Sequence, residues 1–213
     1  MRKKNYFVII GDIVQSRQIK KRAQVQKIFA QAIADLERNF NDSFLSPPTL
    51  TIGDEFQAVL QSTQDLFMLV HQFEIAMEPV QVRFGLGLGQ IETPINRQAA
   101  IGMDGSAFHY AREAIEQARL QNRKYLLITA MDEIQHKALE LLLRWIDLNL
   151  QTWSIEKLKI LTMHRQGKRQ KEIANSLKMS QPAISQHLSK PVFSLIMESE
   201  LFLESQLNSY LKG

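Results

Sequence analysis

Cysteine is absent from the 213-residue sequence. This absence excludes disulfide bonds, thiolate metal sites and cysteine nucleophiles. The five histidines are scattered, without the close spacing that a zinc site on a helix needs. No stretch approaches the roughly 18–20 apolar residues of a membrane span, and the apolar run that follows the basic N-terminus ends at Asp12. We therefore expect a cytoplasmic protein without zinc or disulfides.

The composition is that of a globular protein, with 45% hydrophobic and 23% charged residues. The length suffices for one large domain or two modest ones, and we expect two, spanning residues 1–150 and 151–213. The net charge is +4, and residues 154–190 hold eight basic side chains against two acidic ones. Such an excess favours DNA binding through counterion release, although a solvated basic face explains the charge equally well.

Hydrophobic periodicity in the first 91 residues predicts the element order β-α-β-β-α-β. This order indicates an α+β fold with a ferredoxin-like core, in which two helices pack on one face of an antiparallel sheet. Pro47 and Pro48 are expected to close a loop before the second strand. The predicted strands are 5–10, 49–52, 56–60 and 80–91, and the predicted helices are 22–40 and 63–77. A helix over 106–121, a strand over 124–130 and a helix over 132–150 follow.

Three glycines alternate along the fourth strand, at Gly85, Gly87 and Gly89. They lie on one face of the strand and leave that face without side chains. Something must approach closely there, either a helix or a ligand, and we favour the helix.

Residues 154–190 read as three short helices, in which Ser180 is an N-cap and Pro182 lies in the first turn of the last helix. Their spacing resembles the helix-turn-helix of bacterial transcription regulators, with Lys178 at the turn position that is often glycine. This resemblance implies contacts to double-stranded DNA from Lys168, Arg169, Lys171, Lys178, Gln181, Ser185, Gln186, His187 and Lys190. Two alternatives are a helical hairpin that only packs and a protein-interaction surface. A final helix, 192–211, would dock on the core or pair with a second copy.

Three carboxylates follow or separate the predicted strands: Asp12, Asp54 and Glu55. They should be neighbours, because the first and third strands pair at the centre of such a sheet, and they could hold Mg²⁺. The alternative is turn and cap chemistry. The motifs GDI and GDEF resemble the metal sites of class III nucleotide cyclases and diguanylate cyclases. That likeness implies ligand contacts at Gly11, Arg17, Gly53 and Arg112.

The helix motif of the cyclases, an Asn followed four residues later by an Arg, corresponds here to His109 and Glu113, so we lean against enzymatic cyclisation. Binding of a nucleotide or metal stays open.

The segments IIGDIVQSR, GDEFQ and MDGSAFHYAREA together resemble the SatD family of bacterial proteins, whose name is linked to acid tolerance. Our leading interpretation is a DNA-binding transcriptional regulator of this type. Its degenerate, cyclase-like N-terminal part would be a sensor or a homodimerisation platform. The alternative is a Mg²⁺-dependent nucleotide-binding or nucleotide-processing enzyme with an accessory helical tail, and a third candidate is a structural adaptor.

Overall fold

The computed structural model describes residues 4–211, except for the side chains of Arg17 and Ile52. This part of the chain has five strands and eight α-helices, which confirms the α+β class. The strands are β1 (Tyr6–Ile13), β2 (Phe44–Ile52), β3 (Glu55–Leu60), β4 (Val82–Gly89) and β5 (Tyr125–Thr129). The helices are α1 (Arg22–Asn39), α2 (Leu66–Met77), α3 (Ser106–Leu120), α4 (Glu133–Leu150), α5 (Ile155–Arg165), α6 (Gln170–Leu177), α7 (Gln181–Leu188) and α8 (Pro191–Leu211). Each helix in the described part is too short or too polar to cross a membrane.

The five strands form one mixed sheet in the order β2-β3-β1-β4-β5. The first strand lies at its centre and pairs antiparallel with β3 on one side and β4 on the other. The last strand, β5, joins the edge parallel to β4. The pairing of the first and third strands at the sheet centre is therefore as expected.

Alternation along the strands divides the sheet into two apolar faces. Phe7 and Ile9 contribute to the larger core, which α1 and α2 cover, whereas Val8 and Ile10 pack under α3. Four phenylalanines fill the centre of the larger core, with ring centroids 5.0–6.5 Å apart: Phe29, Phe56, Phe73 and Phe84. Tilted and edge-on rings of this kind are the favoured aromatic packing.

The expectation that Pro47 and Pro48 close a loop is wrong, because both residues lie inside β2. The strand is at the edge of the sheet, so its outer backbone N–H groups need no partner strand. Its register against β3 shifts between Ser46 and Thr49, around the two prolines. An edge position and this irregularity together explain how a strand accommodates them.

The C-terminal helices share the larger core with the sheet. Buried residues of α5, α6, α7 and α8 belong to the same apolar cluster as Phe7 and Phe56. At the α4–α5 junction, Trp153 stacks on Phe193 of α8 with the ring centroids 5.6 Å apart. The α6–α7 turn has Lys178 at φ 54°, and the Ser180 side chain caps α7 by accepting a hydrogen bond from Ala183 N.

A buried ionic network attaches α8 to α2 and α5; we call it the α8 network and define it as His71, Arg165, Glu200 and Glu204. The His71 Nε2 atom lies 2.7 Å from Glu200 Oε1, and both side chains are fully buried. Arg165 donates to Glu200 Oε2 and Glu204 Oε2, each at 2.7 Å. Backbone N–H of Phe67 donates to the remaining Glu204 oxygen at 2.9 Å. Every carboxylate in the network thus has partners on another helix.

Candidate functional site

One end of the sheet gathers charged side chains on neighbouring strands. Asp12 in β1 is paired with Glu55 of β3 on one side and with Arg83 of β4 on the other. Directly paired residues place their side chains on the same face of a sheet, about 5 Å apart. The face in question is the one that α3 covers. All three residues are buried, at 5–7% exposure.

Two arginines of α3 reach down to these carboxylates. Arg112 binds Glu55 with both nitrogens of its fork, at 2.5 and 2.8 Å, and Arg119 Nη2 binds Asp12 Oδ2 at 2.9 Å. The arginines are seven residues apart, two helical turns, so they lie on the same side of α3. Their side chains keep 44% and 55% of their surface exposed. We call Asp12, Glu55, Arg112 and Arg119 the α3 cluster.

Close packing of α3 on the sheet is what lets these arginines reach the strands. A Cβ at Gly85 or Gly87 would clash with the backbone oxygens of Ala111 and Ala107, and one at Gly89 would lie 2.7 Å from Ser106 Oγ. The glycine-lined face of β4 is therefore occupied by a helix, as we favoured. Because the three glycines leave this face of β4 without side chains, the backbone of α3 packs directly against the sheet.

The pKa values of the α3 cluster are shifted by burial and by the neighbouring charges. Burial raises the pKa of the Asp12 carboxyl and outweighs the opposing effect of Arg119. Hydrogen bonds to Glu55 and Asp12 raise the pKa values of Arg112 and Arg119. Burial lowers the pKa of Arg83, and the nearby Arg119 adds to that effect. The site thus holds three cationic groups beside two carboxyl groups.

The other residues predicted for the site lie around the cluster. The Asp54 carboxylate accepts a hydrogen bond from Ser16 Oγ, and its backbone oxygen accepts one from Ile13 N at 3.0 Å. A Cβ at Gly53 would lie 2.8 Å from Gln26 Nε2, and one at Gly11 would clash with the Phe56 ring on the opposite face of the sheet. The backbone of Arg17 lies in a short 3₁₀ turn, Ser16–Gln18, but its side chain is outside the described part.

Carboxylate oxygens are the ligands that Mg²⁺ prefers, so the chemistry of Asp12 and Glu55 suits this ion. Both carboxylates are paired with arginine, and Asp54 is paired with Ser16. Among residues 4–211, no three His, Asp or Glu side chains are grouped to hold a metal. The donors fit Mg²⁺ in kind, and holding an ion requires Arg112 and Arg119 to move away from them.

Sequence reasoning missed Arg83, Arg119 and Ser16. Arg119 was detectable as the residue two helical turns after Arg112. Arg83 begins the alternation that Gly85, Gly87 and Gly89 continue, so it belongs to the same strand face as the glycines. The Ser16 contact with Asp54 joins residues 38 positions apart and leaves no pattern in the sequence.

Comparison with known proteins identifies a family. The sequence model of the SatD family matches residues 6–199. No curated protein matches the chain. Among solved structures, a bacterial light-regulated adenylyl cyclase is 13% identical with a TM-score of 0.44, over 58% of this chain and 75% of its own. The guanylyl cyclase Cya2 is 10% identical with a TM-score of 0.41, over 54% of this chain and 70% of its own.

The prediction of a DNA-binding transcriptional regulator is wrong. The family match runs from β1 into α8, so it includes both the sheet and the C-terminal helices, and the apolar core is continuous between them. Side chains assigned to DNA lie on or beside α6 and α7 and are exposed apart from the half-buried His187: Lys168, Arg169, Lys171, Lys178, Gln181, Ser185, Gln186, His187 and Lys190.

The basic excess of residues 154–190 is partly offset by acidic partners that lie outside this segment. The Arg165 side chain is 5% exposed and is paired with Glu200 and Glu204 of α8. Lys157 lies over the Trp153 ring, 3.5 Å from its centroid. Part of the cationic charge is thus used inside the fold.

Proposed function

The chain belongs to the SatD family, and from that premise and the α3 cluster we propose that the protein binds a nucleotide together with Mg²⁺. The nucleotide's phosphates would bind Arg112 and Arg119 at the end of the sheet. The carboxylates of Asp12 and Glu55 would hold the ion. Magnesium at this position would neutralise phosphate charge.

The observation that carries the proposal is that two half-exposed arginines pair with buried carboxylates at one sheet end. Solvent screens the arginine side of each pair, so each pair contributes less than a fully buried ion pair does. A phosphate group accepts the same forked hydrogen bonds that a carboxylate accepts from arginine. Phosphate can therefore replace Glu55 or Asp12 as the arginine's partner, provided that Mg²⁺ takes the arginine's place beside the buried carboxylate.

Asp12 supports the metal part of the proposal. Burial raises the pKa of its carboxyl group, so Asp12 holds its proton to a higher pH than an exposed aspartate does. A divalent cation beside the carboxyl would reverse that effect and favour the ionised form. Metal binding at Asp12 should consequently release protons and strengthen as the pH rises.

We interpret β1-α1-β2-β3-α2-β4 as a ferredoxin-like core, on the basis of its element order and of the sheet order β2-β3-β1-β4. In this interpretation α3 and β5 are additions, and α5 to α8 are an accessory helical part. The nucleotide site would lie between the core and the first addition.

Titration of the full chain with fluorescent ATP and GTP analogues, with and without Mg²⁺, tests the proposal. We expect saturable binding that Mg²⁺ strengthens, and a Kd at least about tenfold weaker in Arg112→Met and Arg119→Met, equivalent to ~1.4 kcal/mol. Arg38→Met is the matched control, since Arg38 is also an exposed helical arginine in an ion pair, with Asp35. Asp12→Asn should remove the strengthening by Mg²⁺.

Absence of saturable binding, or equal weakening in Arg38→Met and Arg112→Met, would contradict the proposal. Chromatography of the nucleotide after incubation with Mg²⁺ separates binding from processing. Products that form with the wild-type chain and not with Asp12→Ala would show that the site also turns nucleotide over.

A further inference from the structure

Two helices at the surface carry most of the exposed apolar side chains. Ten large hydrophobic residues are exposed in the described part of the chain, and six of them belong to α4 or α8: Ile134, Leu141, Leu148, Leu195, Leu201 and Phe202. Their exposed fractions run from 49% to 80%. Single exposed apolar residues are ordinary, but their concentration on two elements indicates an interaction surface.

The α4 residues form one stripe along the outside of that helix. Ile134, Leu141 and Leu148 follow one another at intervals of seven residues, so they lie almost above one another. The buried side of α4, which includes Leu143 and Leu150, points the opposite way, toward the core. An apolar repeat of seven residues is the spacing by which helices pack along one another. The outer stripe of α4 therefore has the pattern of a second packing surface.

Helix α8 lies beside α4 and runs antiparallel to it. Near the start of α4, Gln135 Oε1 accepts a hydrogen bond of 2.8 Å from the hydroxyl of Tyr210, near the end of α8. At the opposite end of the pair, Trp153 just after α4 stacks on Phe193 near the start of α8. These contacts hold the two helices side by side along their lengths.

Helical geometry directs the outer side chains of both helices toward the same side. Leu195 and Phe202 are seven residues apart and share one side of α8, about a quarter of a turn or more from its buried residue Leu203. Because α8 is antiparallel to α4, this side of α8 points the same way as the α4 stripe. We define the α4–α8 face by five residues: Ile134, Leu141, Leu148, Leu195 and Phe202.

The two rims of the α4–α8 face carry opposite charges. On α4, Lys137 and Arg144 are exposed along the rim away from α8, and on α8, Glu198 is exposed along the rim away from α4. Among the ion pairs within residues 4–211, none includes Arg144 or Glu198. The face is therefore basic on one rim, apolar in the middle and acidic on the other rim.

This charge pattern is complementary to itself. We propose that the α4–α8 face binds the same face of a second copy of the chain, with a twofold axis parallel to the helices. Such an axis places α4 of each copy on α8 of the other and brings the Arg144 rim over the Glu198 rim, and it does so twice. A twofold axis across the helices would instead place like charges together. The four helices then form a bundle.

The size of the face agrees with a specific contact between two proteins. The 21 residues of α8 extend about 30 Å, and two adjacent helices are about 20 Å wide. The resulting area, roughly 600 Å² per copy, is the lower end of what each partner buries in a stable interface. Glu198 on the rim disfavours a lipid surface as the occupant, because helices that bind membranes carry Lys and Arg on their polar side.

Sedimentation velocity of the full chain, without nucleotide or Mg²⁺, tests the proposal. We expect a species of twice the 24.6 kDa chain mass at about 50 µM, above the micromolar Kd that specific interfaces reach. Leu141→Glu should weaken dimerisation at least about a hundredfold, because the twofold axis buries the new carboxylate in both copies. Leu120→Glu is the matched control, since Leu120 is 87% exposed at the end of α3, outside the face.

Exchange of the rim charges distinguishes this dimer from one that forms elsewhere on the chain. Arg144→Glu and Glu198→Arg should each weaken dimerisation at least about tenfold, because each brings like charges together twice. The two substitutions combined restore opposite signs, so the Kd should return to within about threefold of the wild-type value. All of these side chains are exposed, so the variants keep the core unchanged.

A chain that stays monomeric at every concentration overturns the proposal. A dimer that Leu141→Glu leaves unchanged also overturns it, because the copies then meet elsewhere, and so does a charge-exchanged double variant that stays monomeric. Flotation with vesicles of equal parts phosphatidylcholine and phosphatidylserine tests the lipid alternative, and a monomer that floats with them would assign the face to membranes. None of these results bears on nucleotide binding at the α3 cluster.

Discussion

The α3 cluster and the α8 network are both built from arginine and carboxylate, and they differ in exposure. Arg112 and Arg119 keep about half of their side-chain surface in solvent, whereas Arg165 keeps 5%. Water screens the arginine side of the first set of ion pairs and is excluded from the second set. The same chemical pair is therefore exchangeable in one region and fixed in the other.

Position in the fold accounts for this difference. The α8 network lies between three helices, where each carboxylate has a partner on another element. Loss of one partner there leaves a buried charge, which costs far more than the pair contributes. The α3 cluster lies at a sheet end with solvent on one side, so its two arginines stay partly exposed. We infer that the network fixes α8 in place and that the cluster serves recognition.

Removal of the network's arginine should have the largest effect. Arg165→Met leaves Glu200 and Glu204 buried without their cation, and we expect a loss of about 3–5 kcal/mol in the free energy of unfolding. Arg119→Met, the counterpart in the α3 cluster, should lose about 1–2 kcal/mol, because about half of the arginine side chain is in solvent although Asp12 is buried. Urea denaturation of both variants measures the two losses. Equal losses would show that the two regions do not differ.

The second-largest effect is expected from pH, because a rise in pH should weaken the α8 network. Burial opposes protonation of His71, but Glu200 and Glu74 outweigh it and raise its pKa from 6.5 to about 9. Protonated His71 therefore stabilises the fold fully below about pH 6.5, and this contribution disappears as the pH rises through about 9. The shift corresponds to on the order of 3 kcal/mol.

Glu204 acts in the same direction at lower pH. Burial, the largest influence, raises its pKa from 4.5 to about 7, so its stabilising protonated form is lost between those values. Urea unfolding between about pH 5 and pH 9 should show falling stability, and His71→Gln should flatten the upper part of the curve. A stability that increases from pH 7 to pH 9 would contradict the assignment of charge to His71.

The smallest effect is expected within the α3 cluster itself. A double-mutant cycle of Arg112→Met and Glu55→Gln should give a coupling free energy of about 1–2 kcal/mol, above that of a fully exposed pair because the geometry is forked and Glu55 is buried. High salt should reduce it further, because the arginine is half-exposed. A coupling of about 3 kcal/mol or more would make the cluster as fixed as the network and would remove the basis for exchange with phosphate.

Hydrophobic periodicity predicted well which helices and strands the sheet region contains. It predicted the first and last residues of these elements less well. The apolar face of α1, from Val25 to Leu36, is buried as its spacing indicated, except for Ile28, which is 37% exposed. Asp12 was expected just after the first strand and instead lies within β1, because pairing with Glu55 and Arg83 continues the strand to Ile13. A strand that is buried on both faces shows no alternation of apolar and polar residues, so the sequence did not indicate where β1 ends.

The α8 network was beyond sequence reasoning for a different reason. His71 and Glu200 are 129 positions apart, and nothing local couples them. One signal was present: Glu200 and Glu204 are four residues apart on α8, on the side that also carries Leu203 and Leu207. Acidic residues on the apolar side of a helix indicate a buried cationic partner.

The spacing of the α3 arginines has a mechanical consequence. Seven residues of helix separate the Cα atoms of Arg112 and Arg119 by about 10 Å along the axis, yet their carboxylate partners are adjacent strand residues about 5 Å apart. The two guanidinium groups therefore lie closer together than the helix positions that carry them. Glu55 and Asp12 offset the repulsion between their charges. A ligand with two linked anionic groups can bind both guanidinium groups at once, whereas a ligand with one such group can bind only one of them.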